Sequence, residues 1–445
     1  MNDIATFDRK LIAPMVLGSI LNPINSSMIA VALVPIGVAL HARPAQTAWL
    51  VTGLYLATAT GQPIVGKLVD RYGPRRLYLA GSALVGLAGV IGLLAPTLGV
   101  LVVARVLLGL GTCAGFPAAM YLIRRTGAEN PRGVLTTLSV AAQTTVVIGP
   151  SLGGLLIGVA GWRAIFAVNI PLAVACVILA LVRLPAAPPA PAREPLDLLG
   201  IALFIGMLTA LMLVTTSPWL LAVAVVLGAA FALRELRTSA PFLDLRVFGG
   251  NGPLIATYVR ALLAQTAAYA YLYGFTQWLE AGRGLTATHA GLILLPMSLL
   301  AIGVSTLSGR REGFRAKLLI GAGGQLVVSL LMLLLNGDSP LWLPVLLSVL
   351  CSLPQGLNSL ANQNAVYYQA DPARIGASSG LLRTFSYLGA MVSSAATGVF
   401  FVGGADTAGL HDLAVFLTVV AALLLVMVVA DRSLGRLGRD LEVGR

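Results

Sequence analysis

The chain has 445 residues, 58% of them hydrophobic and 10% charged, with a net charge of +12 and a mean hydropathy of +0.90. A soluble chain carries about 25% charged residues, so a soluble domain is excluded and an integral membrane protein remains. A spanning barrel is excluded as well. Its strands would alternate polar and apolar residues over about ten positions, whereas these apolar runs last about twenty, the length a helix needs to cross about 30 Å of hydrocarbon.

In chain order the runs predict fourteen helices, at 11–40, 46–66, 76–96, 98–123, 133–160, 164–182, 197–216, 218–233, 253–279, 287–308, 316–335, 340–368, 375–402 and 411–430. The opening Met1–Lys10 is polar and leads into a run too long for a cleaved signal peptide. After the sixth helix, the stretch from Pro185 to Pro195 is Pro-rich and predicts a stiff, extended linker. The chain therefore divides into a six-helix bundle at 1–184, a linker at 185–196, an inserted helix pair at 197–238 and a second six-helix bundle at 239–445.

The charges follow the same alternation. With the N-terminus inside, nearly all Lys and Arg fall on cytoplasmic segments. Only Arg43, Arg163 and Arg283 fall outside, and Arg105, Arg260 and Arg383 fall within helices. This positive-inside bias predicts a bacterial-type inner membrane protein with both termini cytoplasmic, and it removes nucleic acid as a partner. The eighth run is short, but dropping it would move Arg310, Arg311, Arg315 and Lys317 to the outside. Cys113, Cys176 and Cys351 fall within helices as packing residues, and His41, His289 and His411 map to external loops. With no HExxH, no Cys/His cluster and no paired carboxylates, the chain implies neither an enzyme nor a metal or cofactor site.

The most informative stretch is Gly66-Lys67-Leu68-Val69-Asp70-Arg71-Tyr72-Gly73-Pro74-Arg75-Arg76, between the second and third helices. Asp70 sits where a helix macrodipole disfavours an anion, so a partner is expected to compensate it. Gly66 suits close approach of a neighbouring helix, Gly73-Pro74 suits a turn, and Arg75 and Arg76 can reach lipid phosphates. A shortened echo, Gly309-Arg310-Arg311-Glu312-Gly313-Phe314-Arg315, lies at the matching place in the second half. The fourth helix carries Arg105-Val106-Leu107-Leu108-Gly109-Leu110-Gly111, and the fifth carries Gly149-Pro150-Ser151-Leu152-Gly153-Gly154. Gly149/Gly153 and Gly154/Gly158 are small-xxx-small pairs, and Pro150 can set a bend.

These motifs resemble those of the major facilitator superfamily. Gly161-Trp162-Arg163, Asn169-Ile170-Pro171, Pro241-Phe242-Leu243-Asp244-Leu245-Arg246, Ala290-Gly291 to Pro296, and Ser378-Ser379-Gly380 with Leu388-Gly389 resemble its fourteen-helix drug:proton antiporter branch. The resemblance implies an all-α major facilitator fold of two six-helix bundles plus a central helix pair. It also implies rocking-bundle alternating access and export of a small organic compound, with protons as coupling ion. It gives Gly66, Asp70, Arg71, Gly73, Arg75, Arg76, Arg105, Arg124, Gly149, Pro150, Gly153 and Gly154 gating or conformational roles. The loop aspartate is expected to meet amides near Gly376–Ser379 and either Arg124 or Arg125.

The chain departs from that branch in its first helix. There Leu21-Asn22-Pro23-Ile24-Asn25 places Asn25 where the branch usually carries an aspartate. A neutral amide does not titrate, and no acidic residue maps to mid-membrane, which leaves boundary groups such as Asp70 or Glu280. The polar groups available to line a cavity are Asn22, Asn25, Gln143, Arg260, Gln265, Tyr269, Gln355 and Asn358. They favour a neutral, amphipathic or anionic substrate, handled by a monomer embedded in lipid. The alternatives are a proton-independent facilitator or anion exchanger or importer using Arg260 and Arg105, and a lipid-handling exporter. Replacing Asp70 with Asn is expected to abolish transport in a vesicle assay while membrane expression, read by immunoblot, stays normal.

Overall fold

A bilayer core offers the backbone no hydrogen bonds, so every N–H and C=O must be satisfied within the chain. The computed structural model meets this with helices. It describes residues 9–125, 131–185, 197–215, 217–239, 241–309, 314–370, 375–431 and 433–434, and these contain no strand. The chain runs through α1 (Ile12–Met28), α2 (Leu33–Ala39), α3 (Pro44–Tyr72), α4 (Pro74–Leu94), α5 (Leu98–Thr112) and α6 (Gly115–Arg125). Next come α7 (Pro131–Ala160), α8 (Ala164–Ala167), α9 (Asn169–Arg183), α10 (Leu198–Met212) and α11 (Leu220–Arg237). The last are α12 (Gly252–Ala270), α13 (Ala287–Gly309), α14 (Phe314–Met332), α15 (Trp342–Gln369), α16 (Ile375–Phe400) and α17 (Thr407–Ala430). Residues 186–196 of the Pro-rich linker lie outside the described residues.

Where the helices differ from expectation, proline and glycine give the reason. The first run breaks into α1, a 3-10 turn at Ile29–Val31 and α2, because Pro35 cannot donate to the carbonyl of Val31. The fourth run breaks at Cys113, where Gly115 and Pro117 follow. Helix α12 runs on past its predicted end through two wide turns, Tyr271–Phe275 and Trp278–Gly282. The expected loop at 66–76 is almost entirely helical. Helices α3 and α4 abut at Gly73, whose φ of 85° is open to glycine and strained for other residues.

Eight described stretches are long and apolar enough by themselves to cross a membrane, among them Pro74–Leu94, Leu98–Ile123 and Thr407–Ala430. Cys113, Cys176 and Cys351 are buried and unpaired. The bundle has two faces. One carries Arg43, Arg163 and Arg283, which donate locally or stack on neighbouring rings; the other carries Gly73 and Asp431.

Glycines decide which helices pack closely. Helix α7 contacts both α1 and α13, joining the two halves of the chain, and α3 likewise contacts α16. A methyl group at Gly149 would fall on the Ser27 side chain, and one at Gly153 would lie 3.0 Å from the Met28 carbonyl. On the opposite side, a Cβ at Gly154 would lie 2.5 Å from the Ala287 carbonyl, and one at Gly291 would lie 2.6 Å from the Pro150 carbonyl. Thr288 donates to the Gly154 carbonyl and Ser151 to the Gly291 carbonyl. The small-xxx-small pairs therefore face different neighbours, Gly149/Gly153 towards α1 and Gly154/Gly158 towards α13. Gly66 differs from its expected role: a Cβ there meets nothing within 4 Å among the described residues, so no helix exploits its small size.

Replacing Gly154 with Val must push α13 off α7 against rigid backbone. A thermal-shift assay in detergent is expected to show a loss of about 1–3 kcal/mol, the usual cost of overpacking.

Candidate substrate cleft

Helices from both halves wall a cleft lined by Val146 of α7, Gln265 and Tyr269 of α12, Ile302 of α13, and Gln355 and Ser359 of α15. A second, narrow cavity adjoins it within the C-terminal half and shares Gln265 and Gln355. Gln325, Asn358, Ser329 and Tyr271 line this inner space. Asn358 donates to the Gln325 side chain at 3.1 Å, and Gln325 donates to the Ala264 carbonyl. Among the described residues, the lining of both cavities is amide, hydroxyl, sulfur, aromatic and aliphatic, with no charged side chain.

Towards the Arg43 face, a cluster of tyrosines closes the cleft. Tyr269 and Tyr273 stack with centroids 5.6 Å apart, and Tyr55 of α3 meets Tyr269 edge-on at 5.5 Å and Tyr387 of α16 at 5.6 Å. Tyr273 donates to the Ser26 carbonyl at 2.9 Å, and its hydroxyl lies 3.3 Å from that of Tyr55. Tyr387 donates to the Gln62 side chain at 2.9 Å. Further out, Ser394 donates to the Ala48 carbonyl and receives a hydrogen bond from Thr52. The two halves are thus held together at the Arg43 face by hydroxyl-to-backbone bonds rather than by charge. Sequence reasoning found Tyr269 alone. Tyr273 follows it by one helical turn and was legible, but Tyr55 and Tyr387 come from distant helices and carry no local signal.

Several predicted lining residues are engaged elsewhere. Asn25 and Asn169 form a reciprocal amide pair, at 2.6 and 2.8 Å, and Asn25 also donates to the Leu21 carbonyl. Its amide is saturated inside the N-terminal half, which corrects the expectation that it faces substrate. Asn22 bridges the Thr58 and Thr112 hydroxyls. Arg105 is 2% exposed and donates to the Leu50 carbonyl at 2.8 Å and the Asn25 carbonyl at 3.0 Å. It ties α5 to α3 and α1, a use that the planar guanidinium serves better than an ammonium would.

Arg260 is corrected in the same way. It is 0% exposed, pairs with Asp431 at the end of α17, and donates to Thr257, which in turn donates to Gln369 of α15. It staples three helices rather than meeting a ligand. Burial pushes the Asp431 carboxyl up, but the Ser433 hydrogen bonds and the Arg260 guanidinium outweigh it and hold the group below its ordinary value.

Around the signature stretch, Arg75 donates to the Leu181 carbonyl, which corrects its assignment to lipid phosphate, while Arg76 is exposed. Arg71 lies over the Tyr72 ring. The side chains of Asp70, Arg124 and Gln143 lie outside what is described.

A multi-helix bundle with a polar cleft between its halves is the architecture of a membrane transporter. The chain belongs to the Major Facilitator Superfamily, whose sequence model matches residues 15–394. It is 35% identical over 425 residues to YwoD, an MFS-type transporter of Bacillus subtilis, with 91% of this chain and 92% of that one covered. It is 30% identical over 411 residues to the tetracenomycin C resistance and export protein of Streptomyces glaucescens, covering 86% and 74% of the two chains. Among solved structures, a peptide transporter, POT, shares the fold with a TM-score of 0.70 at 14% identity, over 97% of this chain and 95% of that one.

Replacing Asp431 with Asn leaves Arg260 buried without its counter-charge and is expected to cost about 3 kcal/mol in thermal unfolding. Because the folded-state carboxyl titrates below its ordinary value near 3.9, its contribution is complete above that pH and is lost on acidification below it. The variant should therefore lose the wild type's stability drop below about pH 4.

Proposed function

We propose that this transporter exports small, neutral, amphipathic organic compounds by rocking two six-helix bundles about the cleft, with the α10–α11 pair inserted between them and both termini cytoplasmic. The cleft walled by both halves, uncharged among the described residues, carries this reading: Gln265 and Gln355 offer hydrogen bonds, and Tyr269 offers a flat apolar face. Such a surface binds planar or aliphatic bodies bearing a few polar groups. The similarity to a tetracenomycin C export protein supports export of a compound of this kind. Proton antiport follows from the same family likeness.

The anion-exchange alternative draws no support from Arg105 or Arg260, since both guanidinium groups already serve carbonyls or a carboxylate within the bundle. Transport in proteoliposomes with an imposed pH gradient tests the reading on a neutral, an anionic and a cationic compound. The neutral amphipath is expected to move fastest. The Gln265→Ala and Gln355→Ala variants should raise its apparent KM by about tenfold each, the worth of a hydrogen bond of about 1.4 kcal/mol. Preferred transport of the anion, unaffected by either variant, overturns the assignment.

A further inference from the structure

Of the three arginines that fall within helices, Arg105 and Arg260 are enclosed and bonded inside their own halves, but Arg383 is not. It stands on α16, one helical turn before Tyr387, and its guanidinium Cζ lies 3.8 Å from the centroid of the Phe116 ring on α6. The ring belongs to the N-terminal half and the guanidinium to the C-terminal half, so the pair reaches across from one half to the other. Both side chains are partly exposed. The two ion pairs among the described residues are Arg234–Asp197 and Arg260–Asp431, and neither involves Arg383.

The order of residues along α16 gives its depth. Ser394 bonds the Ala48 carbonyl at the sealed Arg43 face. Tyr387, two turns earlier, meets Tyr55, and Tyr55 meets Tyr269 of the cleft wall. Arg383 comes one turn earlier again, so it lies past the tyrosine cluster on the side of the Gly73 face. A cation at this depth is costly unless it is hydrated or otherwise compensated. Phe116 compensates one face of the guanidinium through its ring electrons. The exposed remainder keeps a fixed positive charge beside the route into the cleft.

Among the described residues, no acidic side chain lines the cleft. An organic cation therefore meets like charge and finds no carboxylate to offset it. A neutral aromatic compound meets no such barrier, and its ring can stack on the guanidinium as Phe116 does. Two like charges about 10 Å apart, at an effective dielectric of about 20, repel enough to weaken binding on the order of tenfold.

We propose that Arg383 is a charge filter on the Gly73 side of the cleft, a specificity-determining residue that turns away organic cations and admits neutral aromatic compounds. This role rests on the export reading above, in which the Gly73 face is cytoplasmic and compounds enter past Arg383.

The test measures binding of acridine, and of its permanently cationic form N-methylacridinium, to the detergent-solubilised full chain by fluorescence quenching at neutral pH. Arg383→Gln is expected to raise the affinity for N-methylacridinium about tenfold and to leave that for acridine unchanged. Arg383→Lys keeps the charge and is expected to keep the wild-type affinities. Phe116→Leu removes the ring but not the charge, and is expected to keep the weak binding of the cation. Unchanged affinity for the cation in Arg383→Gln overturns the proposal. So does an equal gain in Arg383→Lys or in Phe116→Leu, the mark of a contact that only holds the halves together. If Arg383→Gln does not fold, Arg383→Met takes its place, and wild-type protein that binds both compounds equally overturns the proposal by itself. Uptake into proteoliposomes reads the same gain for N-methylacridinium in Arg383→Gln. Discrimination in binding without transport of either compound defeats the export reading alone.

Discussion

The whole arrangement depends on how closely α7 approaches its two neighbours. Inside a membrane, water contributes little to drawing helices together, so association rests on backbone contact and hydrogen bonds. Gly149 and Gly153 let α1 settle on one side of α7, and Gly154 and Gly158 let α13 settle on the other. With side chains out of the way, Thr288 and Ser151 reach carbonyls of the opposite half directly. Hydroxyl-to-carbonyl bonds of this kind are individually modest, and that suits an interface that must come apart and re-form. A charged seal would cost far more to expose and rebury.

Two fully buried arginines each hold a half together. Arg105 braces the N-terminal half through two carbonyls, and Arg260 braces the C-terminal half through Asp431 and Thr257. Both guanidinium groups are fully enclosed. The cleft between the braces is left with amides, hydroxyls and rings. Each of these two arginines thus bonds its partners within its own bundle.

Glu280 stands apart from these braces. It is a buried acid outside both ion pairs among the described residues. Asn25 is locked to Asn169 by a reciprocal amide pair.

By itself the sequence determined the class of this protein. Long apolar runs force helices because lipid cannot satisfy a backbone, and the strings around Asp70, Arg105 and Gly149 carry the family because helix ends and close contacts leave local signatures. Gln265 and Gln355 were legible as cavity residues for the same reason, since an amide in an apolar run needs a partner. Only the tertiary structure decided which polar residues are free. Asn25 and Arg260 look alike in sequence to groups that face a ligand, and their partners, Asn169 and Asp431, lie 144 and 171 positions away. The tyrosine cluster was hidden for the same physical reason. A hydrogen bond between distant helices depends on how whole helices pack, and no short window of sequence contains that information.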